Sequence, residues 1–262
     1  MDIFEKIDNF YKNFNGEKGV IGYSFNKKPI VYFAVKHSKS PVLIVQCAIH
    51  AREYITAHLC LSLIEEFLRV GKLGTVYFIP LVNPDGVKIA LEQKPLYKAN
   101  GRGVDLNVNF DARWGTGEKN LLYAGSENFI GEYPFSEKET CALRDFTLKV
   151  KPNATISYHA KGEEIYYEFF QDEKRLKNDY VIALAVQKET GYLIKSTPFS
   201  CGGYKDWCID KLKIPALTIE VGLDSLSHPI KEESLAQIFN KNKGVIPAVI
   251  KSLTELKCNK NL

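Results

Sequence analysis

The chain has 262 residues, 45% of them hydrophobic and 25% charged, with a formal net charge of +4. That length sustains one large core, and no linker, repeat or low-complexity segment interrupts it, so a single domain over residues 1–262 is expected. The lysines are scattered and no basic stripe is interleaved with aromatics, which argues against nucleic-acid binding.

Residues 1 to 15 predict a short helix with Ile3, Ile7 and Phe10 on one side. This opening is acidic where a signal peptide would be basic and then apolar, and no stretch approaches the length of a membrane span. A cytoplasmic setting is therefore expected, with reduced cysteines. Cys47, Cys60, Cys141, Cys201, Cys208 and Cys258 are widely spaced without a C-x-x-C, against a cysteine-rich metal site.

Val20 to Ser24 and Pro29 to Lys36 read as strands, and the apolar run from Val42 to Ile49 as a buried strand that delivers His50. Tyr54 to Val70 carries Leu59, Leu63, Ile64, Phe67 and Leu68 at helical spacing, and Thr75 to Leu81 is another buried strand. Strand, helix and strand at this length predict a parallel crossover unit in an α/β sheet. Asn83-Pro84-Asp85-Gly86 makes a turn into a helix that reaches about residue 93. Pro95 to Gly131 is rich in Gly and Asn and poor in periodicity, as a cleft wall would be.

Ser136 is the expected N-cap of the next helix, with Glu137 and Glu139 in its first turn. Ala154 to His159 is a strand ending in a second histidine, and Ile165 to Phe169 a short extended piece. Lys174 to Thr190 predicts a helix, Tyr192 to Gly203 a loop, Tyr204 to Lys211 a short helix, and Ala216 to Val221 a strand ending around Glu220. From Ser234 onward the chain reads as helical, with Pro247 at a new turn or a kink.

Three predicted strands thus end near His50, His159 and Glu220, and open α/β sheets bind ligands beyond the carboxyl ends of their strands. His50 and Glu53 can both reach one divalent ion, and with His159 they form a His2Glu set suited to zinc, leaving one position open. Glu220 is the candidate base that takes a proton from water and passes it to a leaving amine. Asp105 can fix the His50 tautomer through the other ring nitrogen. Arg52 and Arg102 are candidate electrostatic partners for a developing oxyanion. Taken singly, a histidine at a strand end is more often structural, and Glu220 alone reads as a carboxylate paired with a lysine. Their common placement beside the long Asn/Gly-rich loop points instead to a zinc hydrolase. His37 and His58 are expected to stand outside the chemistry.

The words His50-Ala51-Arg52-Glu53, Asn83-Pro84-Asp85-Gly86, Gly103-Val104-Asp105-Leu106-Asn107-Val108-Asn109-Phe110, Pro134-Phe135-Ser136-Glu137, Ser157-Tyr158-His159 and Thr218-Ile219-Glu220 run in that order through the chain. In these words the chain resembles the zinc carboxypeptidase family, and more closely its bacterial branch that cuts cell-wall peptides. The resemblance implies a mixed, largely parallel central sheet flanked by helices, and one zinc per chain held by His50, Glu53 and His159. It also implies catalysis by Glu220, carbonyl polarisation by Arg102 and substrate-carboxylate binding by Asn107.

Two departures stand out. Family members that remove ordinary C-terminal residues carry an arginine where this chain has Val108, and valine cannot form a bidentate carboxylate pair. Pro198 falls where the pancreatic enzymes carry a closing tyrosine. The expected activity is hydrolysis of the γ-D-glutamyl-meso-diaminopimelate bond of cell-wall peptides, in peptide recycling or inside a sporulating cell. Arg113, with Glu163 or Asp206, is the expected reader of the distal diaminopimelate centre. The alternatives are a general carboxypeptidase on α-linked peptides and a non-catalytic peptide-binding module.

Overall fold

In the computed structural model, which describes residues 2–197 and 199–258, α1 (Ile3–Asn13) is capped by Asp2, whose carboxylate accepts the Glu5 N–H. β1 (Glu17–Tyr23) and β2 (Pro29–Lys36) form an antiparallel hairpin. β3 (Val42–Cys47), α2 (Ile55–Val70) and β4 (Thr75–Ile79) follow as the expected crossover unit, with β3 and β4 parallel. Next come α3 (Pro84–Glu92), α4 (Lys138–Val150), β5 (Ala154–Ala160), β6 (Glu164–Tyr166), α5 (Glu173–Thr190) and β7 (Leu193–Ile194). The chain continues through α6 (Tyr204–Trp207), β8 (Ala216–Val221), α7 (Leu235–Asn242) and α8 (Val245–Cys258).

The eight strands form one mixed sheet in the order β1-β2-β4-β3-β5-β8-β6-β7. Its centre, β4-β3-β5-β8, is parallel. Such strands are covered on both faces and so read as unbroken apolar runs rather than as alternation; every residue of β5 is buried. One face packs Val45, Ile156 and Ile219 against Leu63 and Phe67 of α2, Ile182 of α5 and Val249 of α8. The other packs Ile44, Ile79 and Ala216 against Leu143 and Phe146 of α4 and Tyr204 and Trp207 of α6.

The structure departs from the expected elements in three places. Glu137, not Ser136, occupies the N-cap of α4, because the Ser136 hydroxyl donates instead to Glu137 Oε1 at 2.8 Å. The C-terminal helical stretch divides into α7 and α8 at Gly244, where a Cβ would stand 2.1 Å from Glu189 Oε2. Pro247 falls in the first turn of α8, where no intrahelical N–H is lost. The 192–203 loop contains β7, which is too short to leave a pattern. All six cysteines are free thiols, and among the described residues no helix is long and apolar enough to cross a membrane. Pro198 lies outside the described residues.

Fully buried Glu139 faces Glu137 and Asp85, accepts the Phe25 N–H at 3.3 Å, and is pushed up to about 7, chiefly by burial. Its carboxyl binds a proton in the folded chain between its ordinary value and about 7, where the unfolded chain does not, so stability falls as pH rises through that window. Glu139→Gln is therefore expected to stabilise the fold by about 1–3 kcal/mol at pH 8 and hardly at all at pH 4. Urea unfolding at the two pH values measures this.

Candidate metal centre and cleft

His50 stands just past β3, in the turn that leads into a 3-10 segment, Ala51–Glu53, and then α2. Ala48 turns the chain there with φ +50°, a left-handed conformation costing a non-glycine residue about 1–2 kcal/mol. Two hydrogen bonds hold it: its N–H donates to Thr56 Oγ1 at 2.9 Å, and its carbonyl accepts the Asn83 N–H at 3.2 Å. The Asn83 side chain locks the same region. Its Oδ1 caps α3 through the Gly86 N–H, and its Nδ2 donates to the carbonyls of Ile49 and Ala99, each at 3.1 Å.

His159, near the end of β5, and Glu220, on β8, are register partners, so neighbouring parallel strands present imidazole and carboxylate side by side. The Nδ1 atoms of His50 and His159 lie 3.1 Å apart, and Glu53 places Oε1 2.8 Å from the first and Oε2 3.1 Å from the second. One potential ligand atom from each residue lies within 4.8 Å of the others, and all three residues are buried. Two ring nitrogens and a carboxylate this close hold too few protons for every contact to be a hydrogen bond. A single cation satisfies them together, and the two-nitrogen, one-carboxylate set suits zinc. Burial alone would raise Glu53, but His50 and His159 hold its carboxyl well below its ordinary value.

Asp105 is fully buried, with Oδ1 3.2 Å from His50 Nε2 and Oδ2 2.8 Å from Lys98 Nζ. It also accepts the N–H groups of Asn107 and Asn128. These cations and donors overcome burial and hold its carboxyl well below the usual range. Asp105→Asn is expected to weaken zinc binding about 10–100-fold, read by competition with a chelator.

A cleft of about 560 Å³ opens beside this group, lined by His50, His159, Glu220, Asn107, Val108 and Lys98 among others. Asn107 Oδ1 accepts the Tyr204 N–H at 3.1 Å, which leaves its amide nitrogen as the end available to a ligand. Val108 backs onto Gly202, at φ +84°, where a Cβ would meet the Val108 carbonyl oxygen at 2.8 Å. Glu220 is raised to about 8 by burial, with His159 acting against it. A bound cation would act in the same downward direction as His159.

Three arginines expected at the site are placed elsewhere. Arg102 is directed to Glu132 and Glu137, each at 3.4 Å, and stacks over Phe25 at 5.6 Å, because Asn100 and Gly103 turn its loop toward α4. Arg52 donates to the Leu96 carbonyl and to Glu127, both at 3.2 Å, bracing the long loop rather than lining the cleft. Arg113, exposed and at φ +49°, stacks 3.3 Å above Phe170, outside the cleft lining. Its expected acidic companions are committed too: Glu163 to Lys241 at 2.6 Å and Asp206 to Lys205 at 2.5 Å.

The residue that sequence reasoning missed is Lys98. It lies in the cleft lining with His50 and Glu220, and its Nζ is held by Asp105. Burial lowers its pKa, but Asp105 outweighs that and keeps the ammonium above its ordinary range. The available signal was position alone, just ahead of the Gly103-to-Phe110 word in an otherwise featureless loop.

The zinc carboxypeptidase family model matches residues 12–243. The chain is 26% identical over 268 residues to gamma-D-glutamyl-L-diamino acid endopeptidase 1 of Lysinibacillus sphaericus, covering 88% of this chain and 66% of that one. The fold matches bovine thrombin-activatable fibrinolysis inhibitor, solved with tick carboxypeptidase inhibitor, at a TM-score of 0.84 and 23% identity over 97% of each chain. It also matches murein-tripeptide amidase MpaA of Escherichia coli O157 at a TM-score of 0.66 and 21% identity, over 92% of this chain and 93% of that one.

Proposed function

The chain belongs to the zinc carboxypeptidase family, a family of metallopeptidases that use zinc, and from that premise we propose that it hydrolyses the γ-D-glutamyl-meso-diaminopimelate bond of cell-wall peptides. The observation that carries the reading is the cleft itself. It has a His2Glu group and a carboxylate at one end, and Val108 where a carboxypeptidase would need an arginine for a terminal carboxylate. The named activity of the Lysinibacillus sphaericus relative supports the substrate.

His50, Glu53 and His159 would hold the zinc, which supplies Lewis acidity toward a water and a carbonyl oxygen. Glu220 takes the proton from the attacking water and returns it to the departing nitrogen, so the amine leaves neutral. Lys98, fixed by Asp105, faces the oxygen on which negative charge develops, an interaction strongest in the transition state. Asn107 offers its amide N–H to a substrate oxygen.

Product analysis by mass spectrometry tests the reading. L-Ala-γ-D-Glu-meso-diaminopimelate is expected to yield free diaminopimelate, while an ordinary α-linked peptide stays intact. Release of the terminal residue from the α-linked peptide instead would make the chain a general carboxypeptidase.

A further inference from the structure

The cleft's outer wall contains a charged pair that the chain itself leaves unmatched. Gly117 to Asn120 form a β-turn closed by the Asn120 N–H on the Gly117 carbonyl at 3.1 Å, with Glu118 and Lys119 as its two central residues. The Glu118 N–H donates to the Phe199 carbonyl at 3.2 Å, which ties the turn to a second cleft-lining segment that includes Ser196, Ser200 and Cys201. Both side chains are exposed, and both line the cleft that holds His50, His159 and Glu220.

Among the described residues neither Glu118 nor Lys119 has an ion-pair partner, whereas the nearby Arg52 and Arg102 are paired with Glu127 and Glu132. Beside them, Asn120 also lines the cleft, and its side-chain Nδ2 is buried with no hydrogen-bond acceptor. That amide is folded back on its own turn, where a Cβ at Gly117 would meet it at 3.1 Å, so it is not among the groups the wall presents. The wall therefore offers one carboxylate acceptor and one ammonium donor on consecutive residues. Lys98, the other cation lining the cleft, is already engaged by Asp105.

We infer that Glu118 and Lys119 are the specificity determinants of this cleft, reading a substrate carbon that carries both an ammonium and a carboxylate. Glu118 takes the ammonium, while Lys119 Nζ takes the carboxylate. On the peptidase reading proposed above, on which this rests, that carbon is the distal centre of the residue on the leaving side of the scissile bond. The assignment replaces Arg113, Glu163 and Asp206, whose partners lie elsewhere.

The test compares three residues at that position. Diaminopimelate carries both distal groups, lysine the ammonium alone, and α-aminopimelate the carboxylate alone. Each is placed in a γ-D-glutamyl and in an α-L-glutamyl peptide, and kcat/KM is measured for the zinc-loaded chain. Lys119→Met is expected to lower the diaminopimelate-to-lysine ratio about tenfold, and Lys119→Arg to retain it. Glu118→Gln is expected to lower the diaminopimelate-to-aminopimelate ratio by a similar factor. Ratios that both variants leave unchanged, in whichever linkage is cut, overturn the assignment. The linkage that is cut answers separately for the peptidase reading, because the ratios are taken within one series.

Discussion

Glu220→Gln is expected to lower kcat by about 10²–10⁴-fold, the range that a positioned general base contributes, with one zinc per chain still bound. The glutamine keeps the shape of the side chain and its place opposite His159, so the binding group is not disturbed. It loses the ability to accept a proton from water and hand it to the departing amine. The loss should therefore fall on kcat more than on KM, since the interaction belongs to the transition state. Steady-state kinetics with zinc content measured on the same samples separates the cases. A variant that loses zinc as well as activity would make Glu220 a structural part of the metal group instead.

The second large effect is expected at Lys98. Lys98→Met should lower kcat/KM by about 10²–10³-fold, the scale on which one oxyanion-stabilising donor acts. Arg102→Met should change it less than threefold, or about 0.7 kcal/mol. The contrast follows from where each cation is held. Lys98 is braced by Asp105 at 2.8 Å and lines the cleft, whereas Arg102 is shared between Glu132 and Glu137 on the side facing α4. Removing Arg102 leaves buried Glu137 with Asn100 and Ser136 as donors, so the cost falls on stability. A large kinetic loss in Arg102→Met with Lys98→Met near wild type would reverse the two roles.

These two residues also mark where the sequence stops being legible. His50, Glu53, His159 and Glu220 could be read because each sits on or just beyond a buried parallel strand, and a continuous apolar run fixes such a strand in register. Asp105 and Asn107 could be read because a short contiguous word carries them. Lys98 and Arg102 both precede that word in a loop without periodicity, and only Arg102 is singled out there. The choice was made by distant partners: Ser126 holds the backbone N–H groups of Lys98 and Ala99, while Glu137 at the start of α4 draws Arg102 away. Within residues 98–102 only Asn100 acts locally, by accepting the Arg102 N–H at its side chain, and the partners that hold the two cations lie elsewhere in the chain.

The same limit applies to Arg113 and the turn at 117–120. An arginine five residues past Val108 is easy to favour as the reader of a distal substrate carboxylate, yet Arg113 stands at φ +49° with its guanidinium over Phe170. Glu118 and Lys119 read as ordinary solvated charges until the Phe199 carbonyl anchors their turn against the cleft. Secondary structure departed in small ways, at the α4 cap, at Gly244 and at the two-residue β7. At the α4 cap the adjacent Glu137 carboxylate takes the Ser136 hydroxyl, and at Gly244 the Glu189 side chain leaves no room for a Cβ.

The most direct test of the central claim is a zinc titration of the metal-stripped chain, with L-Ala-γ-D-Glu-meso-diaminopimelate as substrate and released diaminopimelate measured by mass spectrometry. The expected result is no product without zinc and a rate that climbs linearly to a plateau at one equivalent per chain. His159→Ala should show no such climb at stoichiometric zinc. Diaminopimelate released at the full rate by the stripped chain, or a plateau reached only at two equivalents, would contradict a single zinc held by His50, Glu53 and His159.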